Sequence, residues 1–205
     1  MLPPPELVVP SLRPTDRLVA LAPVPLRDAT TGGVPRLRTA LRIGVRGGDL
    51  CVRFDGRDAG AVATLTERDA PLWREDVFEI FLSPEDPPKT YFEFEVNPLG
   101  TLFDARVDSP NLRRDGMRAA TEWDCEGFSA RVSVRPDRWS ASVRIPLAPL
   151  CGGTPPARWR ANFYRIDRGP RDEYSAWSPT LADPPDFHVP ERFGVLTLSG
   201  RSPVP

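Results

Sequence analysis

Proline sets the first limit on what this chain can fold into: 26 of its 205 residues are proline, spread along its whole length. Each one fixes φ and removes a backbone donor, so it breaks helix interiors and is excluded from the middle of sheets. At that density long helices are ruled out, and the chain reads as short strands joined by many ordered loops. The first 36 residues carry Pro3, Pro4, Pro5, Pro10, Pro14, Pro23, Pro25 and Pro35, which predicts an extended lead-in with one partial edge strand.

Beyond that segment the apolar residues alternate. Leu41, Ile43 and Val45 precede Gly47-Gly48-Asp49, and Leu50, Val52 and Phe54 follow, which spells strand, turn, strand. Residues 76–82 place Val77, Glu79 and Phe81 on one side and Phe78, Ile80 and Leu82 on the other, the pattern of a central strand. After the Pro84–Pro88 turn, residues 90–108 put Phe92, Phe94 and Val96 on one face and Tyr91, Glu93, Glu95 and Asn97 on the opposite one, with a turn at Asn97-Pro98-Leu99-Gly100. Residues 109–122 read as a loop. A third hairpin spans 128–147 around Pro136-Asp137, with Trp139, Ala141, Val143 and Ile145 inward; residues 158–167 alternate again, and 193–200 supply a closing strand. Eight or more short strands without amphipathic helices predict an all-β fold, an antiparallel two-sheet β-sandwich of jelly-roll type, as a single domain over 1–205.

A hydrophobic content of 40%, with 10 Phe, 5 Trp and 3 Tyr, suffices for a sizeable core. The net charge of −1, from 27 basic and 28 acidic residues, gives no field favouring nucleic acid or an anionic membrane. The preference for Arg over Lys, with Lys89 a rare exception, reads as the codon habit of a high-GC bacterial genome. Cys51, Cys125 and Cys151 have no paired spacing, which predicts reduced thiols rather than a disulfide framework. No secretory signal is visible at the start and no run reaches the length of a membrane span, so a cytoplasmic location is the expectation. GxGxxG and Walker patterns are absent, as is GxSxG. With His188 as the lone histidine, a His-rich zinc or iron site is excluded.

Three stretches carry a resemblance: PLWREDVFEIFLSP at 71–84, YFEFEVNPLGTLFDAR at 91–106, and YSAWSPT followed by FHVPERFGVLTL between 174 and 198. They resemble family 9 carbohydrate-binding modules, DOMON-related β-sandwiches, over roughly residues 37–198. The resemblance implies non-catalytic binding of a mono- or oligosaccharide, as in carbohydrate catabolism, through an aromatic clamp. Trp73 matches its first position. The second falls on Phe187, by its distance to Phe193-Gly194, with Trp177 the nearby alternative. Polar contacts are implied from Glu79 and Glu95, with Asn97 and His188 as further ligand candidates; where sugar-binding members carry a characteristic Arg, Glu95 stands. Structural calcium is also implied, for which loop oxygens at Asp104, Asp183 and Asp186 are available.

An aromatic pair suits sugars because pyranose C–H faces pack on rings while carboxylates take the hydroxyls. The residues leave alternatives open. Trp73 and Trp177 could be packing residues, as Trp139 and Trp159 are expected to be. Glu79, Glu93 and Glu95 could hold sugar hydroxyls, serve as the acid and base of a hydrolase acting on O-glycosyl bonds, or form a solvated face paired with arginines such as Arg160. His188 either orders the final turn or contacts a ligand beside Phe187. The whole domain could instead be a protein-interaction module that kept the sandwich and lost the sugar site.

Overall fold

The computed structural model describes residues 3–199. Strands are numbered in chain order. The larger sheet has β1 (Glu6–Val9), β14 (Gly194–Leu198), β12 (Arg158–Asp167), β6 (Val77–Ser83), β7 (Thr90–Val96), β8 (Leu102–Asp108) and β9 (Arg118–Ala120) side by side. β13 (Glu173–Ala176) also pairs with β12, and with β3 (Arg27–Asp28). The smaller sheet runs β10 (Ser129–Arg135), β11 (Arg138–Pro146), β5 (Asp49–Arg57), β4 (Thr39–Arg46) and β2 (Val24–Pro25). All pairs are antiparallel except β1 with β14. Helical structure among the described residues is limited to single 3₁₀ turns, and no helix is long and apolar enough to cross a membrane. The two-sheet sandwich expected from the sequence is the fold.

The hairpins sit where alternation places them. β4 turns into β5 through Gly47 and Gly48, both at positive φ (60° and 96°), a two-residue connection that only glycine-like backbone accommodates without strain. Between the sheets, Phe78 stacks on Phe54 at 4.5 Å and on Trp139 at 3.8 Å, so a residue of the larger sheet interlocks with two of the smaller. Trp139 and Trp159 belong to this interior, as their rows predict.

The larger sheet is buried on its outer face as well. Val77, Phe81, Tyr91, Phe103, Tyr164, Ile166, Phe187 and Phe193 form a second apolar cluster there, roofed by loops that bring in Leu65, Leu72 and Met117. This is why every residue of β6 is buried and why its outward glutamate is not on a solvated surface.

Three expectations need correction. Residues 1–36 supply three short strands, β1 to β3, rather than one partial edge strand, because proline at strand ends and edges costs no ladder bond. Within 109–122, read as loop, residues 118–120 form edge strand β9 against β8. Arg160 does not neutralise a glutamate face: it binds Asp86 at 2.9 Å and the Phe193 carbonyl. Cys51, Cys125 and Cys151 are unpaired thiols. Gly200, the last residue of the expected closing strand, lies outside the described residues.

Candidate functional site

The roof over the larger sheet is incomplete. It leaves a cavity of about 390 Å³ lined by, among others, Trp73, Glu79, Glu93, Tyr174, Phe187 and His188. That volume falls in the range of small-ligand sites.

Trp73 reaches it from a 3₁₀ turn, Leu72–Arg74, between β5 and β6. Leu72 is fully buried and anchors the turn, which leaves the next side chain facing out; Trp73 is 40% exposed, unusually high for a tryptophan. The loop is pinned on both sides. Glu75 accepts from the amides of Thr64 and Leu65, Asp76 accepts from Val62, and Arg168 donates to the Trp73 carbonyl at 2.7 Å. Phe103 packs edge-on against the indole at 5.4 Å. Tyr174 lines the same cavity from β13, its hydroxyl and ring both engaged by the Arg168 guanidinium.

Phe187 lines the cavity too, but it is 93% buried by its relation to the sheet: its exposure is 7%, and it stacks on Tyr164 at 4.2 Å. Tyr164 Oη donates to the Phe187 carbonyl at 2.9 Å, holding the loop down. Trp177 does not take part. Tyr174 and Ala176 point outward from β13, so by strand parity Trp177 turns inward, where it packs on Phe163 at 5.7 Å in the sandwich core. Of the two alternatives for the second aromatic, only Phe187 is at the cavity.

Asn97 is also elsewhere. It is fully buried at the β7–β8 turn, where Oδ1 accepts from the amides of Leu99 and Thr101 and Nδ2 donates to the Leu65 carbonyl. Every group it offers is used in closing that turn.

The floor is acidic. Glu79 on β6 faces Glu95 on β7 across the ladder, and Glu93 is two residues along the same strand face. Each offers a carboxylate oxygen within 4.8 Å of the others, and all three side chains are buried. Written as carboxylates, both oxygens of Glu95 and Oε1 of Glu79 have no donor. Burial pushes all three upward: Glu93 to about 7, Glu79 and Glu95 well above the ordinary value, the last two reinforced by their acidic neighbours. Arg168 near Glu79, and for Glu93 a hydrogen bond shared with Glu95 and then Arg114, only partly offset this. Each of these arginines is committed to another acid, Arg168 to Asp172 and Arg114 to Asp186 at 3.0 Å.

His188 stands at the edge of this group. Its Nδ1 lies 2.7 Å from Tyr91 Oη and its Nε2 is 4.0 Å from Glu93 Oε1. Burial and Arg114 hold the imidazole down at about 4, so it is neutral near pH 7, with Nε2 the ring nitrogen turned toward the acidic floor.

The three oxygens named for calcium do not converge. Asp183 is exposed, Asp186 bonds Arg114 and the His188 amide, and Asp104 sits with Asp69 and Asp124 around Arg68. A guanidinium already bridges Asp104 and Asp124, and Arg165 likewise fills the group Asp58, Asp76 and Asp167 by binding Asp58 and Asp167. Neither group fits a calcium ion unless an arginine moves.

Sequence reasoning missed Tyr174, Arg168, Phe103 and the wall contributed by Arg114, Met117, Ala119 and Thr121. Parity along 173–177 identifies Tyr174 over Trp177; the wall from 114–121 carries no periodic signal.

Comparison with known proteins finds the same fold elsewhere. A carbohydrate-binding protein candidate from Bacteroides uniformis ATCC 8492 shares the fold with a TM-score of 0.76 and 19% identity, over 95% of this chain and 99% of that one. A family 9 module from Caldicellulosiruptor kristjanssonii, solved with cellotriose, superimposes with a TM-score of 0.67 and 16% identity, over 97% and 95%. A second family 9 structure from that organism, with glucose, gives 0.62 and 14%, over 97% of both chains. An "Extracellular protein" of Arthroderma benhamiae is 30% identical over 135 residues; the match spans 60% of this chain and 60% of that protein's length. The family model for carbohydrate-binding family 9 matches residues 33–198, most of the chain. The chain belongs to carbohydrate-binding family 9.

Proposed function

We propose that this domain binds a saccharide, without transforming it, in the cavity on the outer face of the larger sheet. The observation that carries this reading is Trp73: a tryptophan 40% exposed at a cavity whose floor holds hydrogen-bonding groups. An indole face takes the apolar C–H surface of a pyranose, and Glu79, Glu93 and the Nε2 of His188 at the same cavity supply directional partners for its substituents. Tyr174 and Phe187 complete the aromatic lining, so the clamp consists of Trp73 with these two, not Trp177. Membership of family 9, and the cellotriose and glucose of the two Caldicellulosiruptor structures, support the same class of ligand.

The test is calorimetry and thermal shift with a panel of neutral, amine-bearing and N-acetylated mono- and oligosaccharides, on wild type and Trp73→Ala. Binding that raises Tm in wild type and falls by at least ~10-fold in the variant is expected, since ligand bound to the native state must stabilise it. A panel in which no sugar binds wild type refutes the reading.

A further inference from the structure

We propose that the saccharide this cavity selects is cationic, an amine-bearing sugar whose ammonium group sits on the nest of Glu79, Glu93 and Glu95; the inference rests on the saccharide reading above. Three carboxyl groups share one sheet face within 4.8 Å of one another, and the least exposed of them, Glu95 at 1%, has both oxygens without a donor. Glu79, at 2%, leaves Oε1 in the same state at the cavity floor. Buried acceptors without donors are costly, and buried negative charge more so, until a partner supplies protons or positive charge.

The protein supplies it only in part, through a proton shared between Glu93 and Glu95 and the backbone of Trp73 near Glu95. Of the cations lining the cavity, Arg114 is taken up by Asp186, and Arg168 by Asp172 and Tyr174, with only its Nε left without a partner. His188 is held neutral and stands 4.0 Å from Glu93. Tyr164 and Tyr91 beside the cluster direct their hydroxyls to the Phe187 carbonyl and to His188. A neutral sugar can satisfy the acceptors but does not neutralise the carboxylates once they ionise. An ammonium does both, with three N–H donors for three carboxyl groups.

The walls decide between an amine and a metal ion. Calcium takes six to eight oxygens, whereas here the sheet's carbonyls are spent in the ladder and the neighbouring cavity lining is Phe103, Ile166 and Phe187. Aromatic walls fit the hydrocarbon face of a sugar ring and also favour a nearby cation. Binding displaces the protons that the cluster otherwise retains, so affinity rises with pH through about 7, where Glu93 ionises, until the ligand's own amine loses its proton.

The experiment is calorimetric titration of the full chain with glucosamine, N-acetylglucosamine and glucose at about pH 6.5, repeated at higher pH in buffers of different ionisation enthalpy. Calcium and zinc are titrated in parallel. Glucosamine is expected to bind at least ~10-fold more tightly than the other two, with proton release, and Glu95→Gln to erase the preference while folding normally. The wild-type comparison of amine with acetamide stands even if that variant fails to fold. Glucose or N-acetylglucosamine binding as tightly as glucosamine overturns the cationic preference and leaves the saccharide reading intact. Silence from every sugar overturns both. A metal that binds and is lost in Glu79→Gln, without any glucosamine preference, reassigns the nest to a metal ion and overturns the inference.

Discussion

Arg165, on β12 of the larger sheet, donates to Asp58 Oδ2 at 2.9 Å, and Asp58 directly follows β5 of the smaller sheet, so this pair joins the two layers of the sandwich. The same guanidinium binds Asp167 at 2.6 Å, Thr39 Oγ1 at 3.2 Å and the Arg57 carbonyl at 2.5 Å. Arg165 and both aspartates are buried. Removing the cation strands two acids in low dielectric, so Arg165→Met is expected to cost about 3–5 kcal/mol. Urea denaturation measures it, and adding Asp58→Asn to the variant should restore part of the loss.

The acidic floor makes stability depend on pH. Because Glu93 is lifted to about 7 from an ordinary 4.5, and Glu79 and Glu95 are raised too, the native state keeps protons that the unfolded chain has already released. Their contribution is fully present below the ordinary carboxylate value and is lost as pH rises through the folded values. Asp104 and Asp167, both lifted to about 6, act in the same sense, whereas His188, lowered from 6.5 to about 4, opposes them as pH rises between those values. Above about 6.5 the histidine's opposition is spent. Between about pH 6.5 and pH 8.5 stability should fall by about 1–3 kcal/mol, read as a falling urea midpoint, and Glu95→Gln should flatten that decline.

Trp73 and Trp177, both candidates for the aromatic clamp in the sequence, should behave in opposite ways. Trp73→Ala removes an exposed ring with one edge contact and is expected to cost about 1 kcal/mol of stability while weakening saccharide binding by at least ~10-fold. Trp177→Ala opens a hole in the main core and is expected to cost about 3–5 kcal/mol. Paired urea melts and titrations separate the two roles.

Gly194 opens β14 where no side chain fits. A Cβ there would meet Trp177 Cζ3 at 2.5 Å and the Pro5 carbonyl oxygen at 2.6 Å, and that carbonyl accepts the Val195 amide at 2.9 Å. Gly194→Ala is therefore expected to cost about 1–3 kcal/mol and to loosen β1 first. Faster hydrogen exchange at the Val195 amide would report it.

The strands were legible because alternation is a local property. Parity put Glu79 on one face of its strand and Glu93 with Glu95 on one face of the next, and the register joined them. What covers that face was not legible: the roof comes from loops whose residues, such as Leu72, Met117 and Phe187, follow no period. Hence a solvated face paired with Arg160 stayed among the readings of a floor that is buried. Asn97 was misread for a related reason, since its strand parity points toward the glutamates while its side chain is consumed by the turn it begins. The resemblance over 37–198 and the family match over 33–198 nearly coincide, because both rest on the strand motifs rather than on the loops.

The parallel seam between β1 and β14 has a kinetic consequence. It pairs Glu6 with Val195 and Val9 with Leu198, so β1 joins the larger sheet only when segments nearly the whole described chain apart have met, whereas β14 is also held by β12. Closing so long a loop before any of its contacts form makes folding slow. On the ribosome, where synthesis runs from the N-terminus, β1 must wait without its partner until β14 has emerged, so the first strand made is the last to join this sheet.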